Sequence, residues 1–248
     1  MRPTSYFMVA LVALLLPLAL QAQTLMTLGY EEANAAVVLS QEAEKPKAAD
    51  ALQVDCTVAR SGRCSMRSKV RLTSDYMSFG AHRAESDASK QKSTFYSAGE
   101  RYLYRFSLRL APQWAYDHRD AVDIVWQFKR TSSPPDMFVG VKGQHLVLRI
   151  GESAQLLLMD PVPRGQWIDV ALDVRWSTGP DGLVSATATP MGSGPGPKKE
   201  FAGKNMRGAR EKAGYLKWGL DKPGQTKKPD VGRESIVWHD DIRVERLH

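Results

Sequence analysis

The stretch Trp167-Ile168-Asp169-Val170-Ala171-Leu172-Asp173-Val174-Arg175-Trp176 alternates apolar and polar side chains. Successive side chains of a β-strand point to opposite faces, so this pattern predicts a strand with one buried face and one wet face. Similar short runs, separated by turn residues, begin at Arg101 and continue toward the C-terminus. They predict further strands over 102–110, 122–128, 137–141, 145–150, 155–159, 183–188, 215–220 and 235–244.

This series of short strands determines the expected fold class. No long amphipathic helix interrupts it, which favours an all-β protein built as a two-sheet sandwich or jelly roll. Two segments, 191–204 and 222–233, are rich in glycine, proline and lysine. We expect both to be exposed loops.

The N-terminus has the layout of a secretory signal peptide. Arg2 is followed by an apolar run over 6–20, and Ala22 offers a small residue for cleavage. We therefore expect a signal peptide over 1–22, a poorly ordered leader over 23–52 and one domain over 53–248. The alternative is an uncleaved N-terminal anchor. With cleavage, the protein has no stable membrane span and is secreted or periplasmic.

The chain has two cysteines, Cys56 and Cys64. In an exported protein a disulfide is the default, here closing a small loop around Ser61-Gly62. Two cysteines at this spacing are too few for a zinc site, which needs further Cys or His ligands nearby. We predict no metal site and no cofactor.

The formal net charge of the chain is +7. In an exported protein this excess favours an acidic partner, such as a polyanionic glycan, an anionic envelope surface or extracellular nucleic acid. A solvated basic surface without a specific partner is the simpler explanation of the same charge.

Three short patterns carry a resemblance to a known family. They are His82-Arg83-Ala84-Glu85, Val125-Trp126-Gln127-Phe128-Lys129 and Tyr215-Leu216-Lys217-Trp218-Gly219-Leu220-Asp221. In order and spacing they resemble the R-x-E, Q-x-H and Y-x-K-x-G-x-Y motifs of the heparin lyase I-like and glucuronan lyase family of polysaccharide lyases. The resemblance implies a jelly roll with a concave sheet that binds an acidic polysaccharide and cleaves it by β-elimination.

The resemblance also implies which residues form the site, and it makes an acidic polysaccharide the expected partner, with no nucleic acid bound. In β-elimination the uronate carboxylate must be neutralised, a base must remove the proton at carbon five, and an acid must protonate the leaving oxygen. We expect the protein to be a monomer. The implied catalytic residues are Gln127, Lys129, Tyr215 and Lys217, and the implied substrate-binding residues are His82, Arg83, Glu85 and Asp221.

The chain departs from the family pattern at two of these positions. Lys129 stands in place of the histidine, and Asp221 in place of the last tyrosine. Lys129 can act as a base only if burial or neighbouring cations lower its pKa by several units. His82 is a second candidate for the base, although a lone histidine is more often structural.

Strand alternation predicts which of these side chains share a face. Val125, Gln127 and Lys129 should lie on one face of their strand, and Tyr215, Lys217 and Gly219 on one face of theirs. Three functions stay open: a lyase, a non-catalytic glycan-binding protein that has lost lyase chemistry, and a structural jelly roll whose charge is only surface.

Overall fold

A computed structural model of the chain describes residues 22–31, 46–116, 121–130, 134–152, 154–208, 213–224 and 233–248. Apart from Ala22, the predicted signal peptide lies outside these ranges, as does most of the predicted loop over 222–233. The described residues form β-strands and two short 3₁₀ helices, Ser74–Tyr76 and Lys92–Thr94. The predicted all-β class is confirmed. Among these residues we find no helix long and apolar enough to cross a membrane.

The strands, in chain order, are β1 Ala22–Leu28, β2 Leu52–Asp55, β3 Ser65–Arg71, β4 Met77–Ser78, β5 Ala81–Asp87, β6 Arg101–Leu110, β7 Val122–Lys129, β8 Met137–Lys142, β9 His145–Ile150, β10 Ala154–Met159, β11 Trp167–Arg175, β12 Leu183–Pro190, β13 Lys199–Ala202, β14 Tyr215–Lys222 and β15 Glu234–Leu247.

The strands form two antiparallel sheets. The back sheet has the order β13-β12-β11-β6-β15-β3-β2, and β1 also pairs with β15. The front sheet has the order β10-β9-β8-β7-β14-β5-β4. This arrangement is the two-sheet jelly roll that the sequence predicts.

The alternating stretch over 167–176 contains β11, in the middle of the back sheet between β6 and β12. Its apolar set, Ile168, Val170, Leu172 and Val174, is at most 2 % exposed. Fully burying such side chains stabilises the fold by roughly 1.5–3 kcal/mol each. One face of this strand therefore supplies a large part of the core between the sheets.

Aromatic side chains fill the space between the two sheets. Phe106 of β6 stacks on Trp126 of β7 with ring centroids 4.0 Å apart, and Tyr96 stacks on Trp176 at the same distance. Aromatic pairs of this kind contribute about 0.5–1.5 kcal/mol beyond the area they bury. The contacts fix the front sheet against the back sheet.

The structure differs from the expected leader at its beginning. β1 lies within that segment and pairs with residues 242–247 of β15. Just after it, Tyr30 is 2 % exposed and accepts a hydrogen bond from Trp218 Nε1 at 2.6 Å. The sequence does not reveal this strand because its partner lies more than two hundred residues along the chain. Residues 32–45 are outside the described ranges.

A second difference concerns the predicted loop over 191–204. It contains β13, which pairs with residues 183–186 of β12 at the edge of the back sheet. The strand alternates between half-buried and exposed side chains and carries Lys199 and Glu200. Charged residues are common on edge strands, where they discourage pairing with other chains, and they make such a strand look like a loop in the sequence.

The predicted disulfide between Cys56 and Cys64 is confirmed. It closes the loop between β2 and β3 directly beyond the register pair Asp55 and Ser65. The loop is held to the outside of the back sheet, since Arg60 makes a bidentate pair with Asp169 at 2.8 and 3.0 Å.

A buried charged group lies just beyond the end of β7. Arg130 and Asp136 are 2 % and 1 % exposed and make two hydrogen bonds of 2.8 Å. The Asp136 carboxylate also accepts hydrogen bonds from the Tyr96 hydroxyl at 2.9 Å and the Arg207 backbone N–H at 2.7 Å. These four residues are called the scaffold cluster below.

Candidate functional site

Three adjacent strands of the front sheet bring most of the predicted site residues together. β14 lies between β5 and β7, so the register places Lys217 directly opposite Gln127 on one side and Asp87 on the other. Tyr215 lies opposite Lys129, and Asp221 lies opposite Arg83. Motifs that are far apart in the sequence therefore become neighbours on one face of one sheet.

Two β-bulges alter the expected faces. Pairing between β14 and β7 shifts between Trp218 and Asp221, and pairing between β7 and β8 shifts at Val125. Val125 consequently turns into the core, where it is 1 % exposed, and Ile124 pairs with Asp221 instead. The prediction that Val125 shares a face with Gln127 is wrong because a bulge reverses the alternation of side chains.

Gly219 occupies the bulge on β14 at a φ of 130°. A Cβ atom there would lie 2.3 Å from the Ala84 carbonyl oxygen of β5. The space beside this glycine is filled by the backbone of the neighbouring strand. Gly219 is therefore required by the close approach of β5 and β14.

Glu85 connects the residues that the resemblance assigns to the substrate carboxylate. One of its carboxylate oxygens accepts a hydrogen bond from Gln127 Nε2, and the other pairs with Lys217 Nζ at 2.7 Å and Arg83 at 3.7 Å. Its side chain is 4 % exposed and that of Lys217 is 9 % exposed. Glu85 therefore holds an amide and an ammonium group in fixed positions.

Arg83 and Asp221 form a looser contact beside Glu85. The guanidinium NH2 lies 3.4 Å from Asp221 Oδ1, longer than an optimal N–H···O bond. Within the described part of the chain, that oxygen and Arg83 Nε have no hydrogen-bond partner. Arg83, Glu85, Gln127, Lys217 and Asp221 are together called the site cluster below.

Asp221 is the strongly perturbed acid of the site cluster. Burial and, to a smaller extent, the neighbouring Glu85 carboxylate raise its pKa from 3.8 to about 7, although the nearby cations act in the opposite direction. A carboxyl group with such a pKa exchanges protons near neutral pH. At the position where the resemblance implies a tyrosine, Asp221 thus supplies another titratable group.

Lys129 is half-buried at the end of β7. Burial lowers its pKa, and the positive charges of Lys217 and Arg83 lower it further. The carboxylates of Glu85 and Asp221 act in the opposite direction. The net direction is the one that a lysine base requires. Because Tyr215 is directly opposite, the site presents an amine and a phenol side by side at one end of the site cluster.

His82 is separated from the other predicted site residues. It precedes Arg83 on β5, so its side chain points to the opposite face, and it is 7 % exposed. Burial lowers its pKa, with a further contribution from Lys222. Lys222 itself pairs with Asp123 at 2.7 Å. The prediction that His82 contacts substrate is not supported by this placement, because strand alternation turns it away from Arg83 and Glu85.

The sequence reasoning missed two neighbours of the site cluster. Asp87 lies opposite Lys217 and is 5 % exposed, and Phe138 of β8 lies opposite Gln127. Two-residue spacing from Glu85 could have identified Asp87. Phe138 depends on the pairing of β7 with β8, which carries no motif. Among the described residues, we find no group of three or more His, Cys, Asp or Glu side chains placed to hold a metal ion.

The arrangement combines hydrogen-bond donors, cations and proton-transfer groups on one face. Donors from Gln127, Lys217 and Arg83 surround a carboxylate, Glu85, and so are suited to anions. An amide nitrogen carries two N–H groups and an ammonium three, so each retains donors after bonding to Glu85. Lys129 and Tyr215 add groups that can move a proton next to that anion site.

Comparisons with solved structures find the same fold in other proteins. Three similar solved structures, with TM-scores of 0.62, 0.59 and 0.57, share the fold at 15%, 10% and 13% sequence identity. They are an endo-β-1,4-glucuronan lyase from the fungus Trichoderma reesei, an alginate lyase of class PL-14 from Aplysia kurodai and the alginate lyase AlgAT5 from polysaccharide lyase family 7. The matches cover 82%, 90% and 89% of this chain and 90%, 98% and 93% of those chains.

A search of curated protein sequences finds no match. Residues 28–243, in contrast, match the protein family described as polysaccharide lyase. This match spans most of the chain and contains all three motif regions. The chain therefore belongs to the polysaccharide lyase family.

Proposed function

We propose that this protein is a secreted or periplasmic lyase that cleaves a uronic-acid-containing polysaccharide by β-elimination. The observation that supports it best is the convergence of Gln127, Lys217 and Arg83 with Lys129 and Tyr215 on one face of the front sheet. Membership of the polysaccharide lyase family supports the same reaction class. The disulfide is consistent with export.

The first requirement of the reaction is a stabilised carboxylate. The proton on carbon five of a uronate becomes acidic when charge developing on the adjacent carboxylate is held by donors. In the proposal Gln127, Arg83 and Lys217 supply these donors. Glu85 contacts all three and acts as a positioning residue, keeping them pointed at one place before substrate arrives.

The second requirement is a pair of proton-transfer groups. In the proposal, neutral Lys129 removes the proton from carbon five, and the C–H electrons form the double bond between carbons four and five. The bond from carbon four to the glycosidic oxygen breaks, and Tyr215 protonates that oxygen. The products are a new non-reducing end with an unsaturated uronide and a shortened chain with a free hydroxyl.

The experiment measures ultraviolet absorbance of unsaturated uronide while the protein incubates with glucuronan, alginate, heparin, hyaluronan or pectate. We expect absorbance to rise with at least one polymer, and the rate to fall by about 10²- to 10⁴-fold in Tyr215→Phe because the proton donor is lost. Tyr102→Phe, a tyrosine of the back sheet, is the matched control. A flat trace on every polymer would refute the lyase proposal.

A non-catalytic glycan-binding role is the alternative. It is favoured by Asp221, which brings a carboxyl group beside the donors that would contact an anionic sugar. In that case an immobilised sample retains one of the polymers in a salt-sensitive manner but forms no unsaturated product. The same panel of polymers therefore separates the two functions.

A further inference from the structure

The site residues begin a longer row of side chains that crosses the front sheet. Lys217 lies opposite Gln127, which lies opposite Phe138, which lies opposite Arg149, which lies opposite Gln155. These five residues come from the adjacent strands β14, β7, β8, β9 and β10. Neighbouring strands are about 4.8 Å apart, so the row is roughly 19 Å long. Phe138, Arg149 and Gln155 are called the row extension.

Phe138 is the aromatic member of the row extension. It is half-buried on the outer face, and its Cε2 atom lies 3.4 Å from the position that a Cβ atom of Gly140 would occupy. The ring therefore lies over Gly140, next to the Val122 side chain, whose Cγ1 atom is 2.6 Å from the same position. Across from Gly140 lie Val147 of β9, which is buried, and then Leu157 of β10, which continues the exposed apolar surface. A ring supported along a sheet surface is a platform on which the apolar face of a sugar can stack.

The charge of this part of the sheet differs from that of the site cluster. The outward residues of β8, β9 and β10 include the basic side chains Lys142, His145 and Arg149 and, among the described residues, no carboxylate. Asp160, which follows β10, pairs with His145 at 3.1 Å. Arg149 donates a hydrogen bond to the Glu152 backbone carbonyl, which leaves its positive charge uncompensated by that contact.

We propose that the row extension binds the part of the acidic polysaccharide adjacent to the cleaved bond, with Phe138 stacked on a sugar ring and Arg149 paired with a uronate carboxylate. This inference rests on the proposed function and specifies how its substrate lies. The polymer crosses the strands from β14 toward β10, where it meets positive charge. The substrate is accordingly a chain long enough to reach β9, and short oligosaccharides are poor substrates.

Kinetics on substrates of different length test this inference. We expect Phe138→Ala and Arg149→Gln each to lower kcat/KM on glucuronan polymer and a hexasaccharide by about tenfold, mainly through KM. On the shortest oligosaccharide that is cleaved, the loss is smaller because that substrate does not reach β9. Phe138→Leu, which keeps the apolar volume without the ring, gives the same pattern if stacking is responsible. Equal kcat/KM for variant and parent on the hexasaccharide would overturn the inference.

Binding in the Tyr215→Phe background separates this inference from the proposed function. Titration with the hexasaccharide of glucuronic acid, and with that of alginate, should show about tenfold weaker binding when Phe138→Ala is added. Leu183→Ala and Arg175→Gln, both on the back sheet, are the matched controls, and thermal unfolding confirms that all variants are folded. If no polymer is cleaved yet Phe138→Ala weakens binding, the lyase proposal fails and the proposed role of the row extension in binding stands. If cleavage occurs and Phe138→Ala leaves both binding and cleavage unchanged, the role of the row extension is refuted and the lyase proposal stands.

Discussion

The scaffold cluster and the site cluster are both buried charged groups, but their contacts differ. In the scaffold cluster, Arg130 and Asp136 make two hydrogen bonds of 2.8 Å. The Asp136 carboxylate accepts two further hydrogen bonds, from Tyr96 and Arg207. In the site cluster, Arg83 lies 3.4 Å from Asp221 and 3.7 Å from Glu85. The scaffold cluster is hydrogen-bonded closely, whereas the site cluster keeps polar atoms with unused capacity.

This difference distinguishes two uses of buried charge. A buried ion pair that is fully hydrogen-bonded holds chain segments in place, and breaking it leaves an uncompensated charge. A buried group whose polar atoms are only partly satisfied perturbs pKa values and can accept a ligand. On this basis the scaffold cluster should determine stability, and the site cluster should determine binding and support proton transfer by the neighbouring Lys129 and Tyr215.

The largest expected effect is on stability. Asp136→Ala leaves Arg130 buried without its carboxylate, and we expect the free energy of unfolding to fall by about 3–5 kcal/mol. Urea denaturation measures this change. If the free energy of unfolding fell by less than about 1 kcal/mol, the scaffold cluster would contribute no more than an exposed ion pair. The proposed difference between the scaffold cluster and the site cluster would then be wrong.

Lys129→Arg should affect catalysis and leave stability nearly unchanged. A guanidinium keeps the positive charge but does not give up its proton, so we expect kcat to fall by about a hundredfold while polymer retention persists. Lys199→Arg on β13 makes the same exchange away from the site. Full activity in Lys129→Arg would show that Lys129 holds the substrate only by its charge.

Asp221→Asn should change how stability depends on pH. Because the pKa of Asp221 is raised from 3.8 to about 7, the folded chain binds this proton more tightly than the unfolded chain. Its stabilising contribution is complete below the lower value and is lost as pH rises through the higher one. The variant should thus gain stability relative to the parent across that window, by up to about 4 kcal/mol.

Urea denaturation of the parent and Asp221→Asn at several pH values follows this difference, and Asp173→Asn serves as control. Comparing the two chains cancels other titrations, such as that of buried His239, whose pKa burial lowers to about 3. A difference that does not vary with pH would mean that Asp221 is ionised throughout, as in a closely hydrogen-bonded pair.

The smallest effect is expected for an exposed ion pair. Arg101 and Asp173 pair at 2.7 and 2.8 Å on the back sheet, but their side chains are 44% and 30% exposed. Asp173→Ala should therefore cost less than about 1 kcal/mol in unfolding experiments, and less still at high salt. A cost equal to that of Asp136→Ala would show that burial is not what separates these ion pairs.

Local patterns were sufficient to predict much of the fold. The alternation in β11 and the apolar continuity of β7 placed strands within a few residues of their observed ends, because burial on one face imposes a period of two. The pairing of β7 with β14 also places Gln127 opposite Lys217, and Lys129 opposite Tyr215.

The remaining features depend on contacts between distant segments. Because of the bulges, Ile124 and not Val125 lies opposite Asp221. They arise where β7 pairs with two neighbouring strands whose registers differ. His82 illustrates a limit of motif comparison. His82 and Arg83 are adjacent in the motif, but consecutive side chains of a strand point to opposite faces. Phe138 enters the row only through the pairing of β7 with β8, which no single stretch of sequence encodes.

The pairing of β1 with β15 has a consequence for solubility. Residues 242–247 of β15 pair with β6 on one side and with β1 on the other. Without β1, this half of the longest strand would present a row of unpaired N–H and C=O groups, which is a template for strand addition from another copy of the chain. β1 thus covers this edge of β15 and prevents self-association there. A variant that starts after Leu28 should form oligomers through the exposed edge.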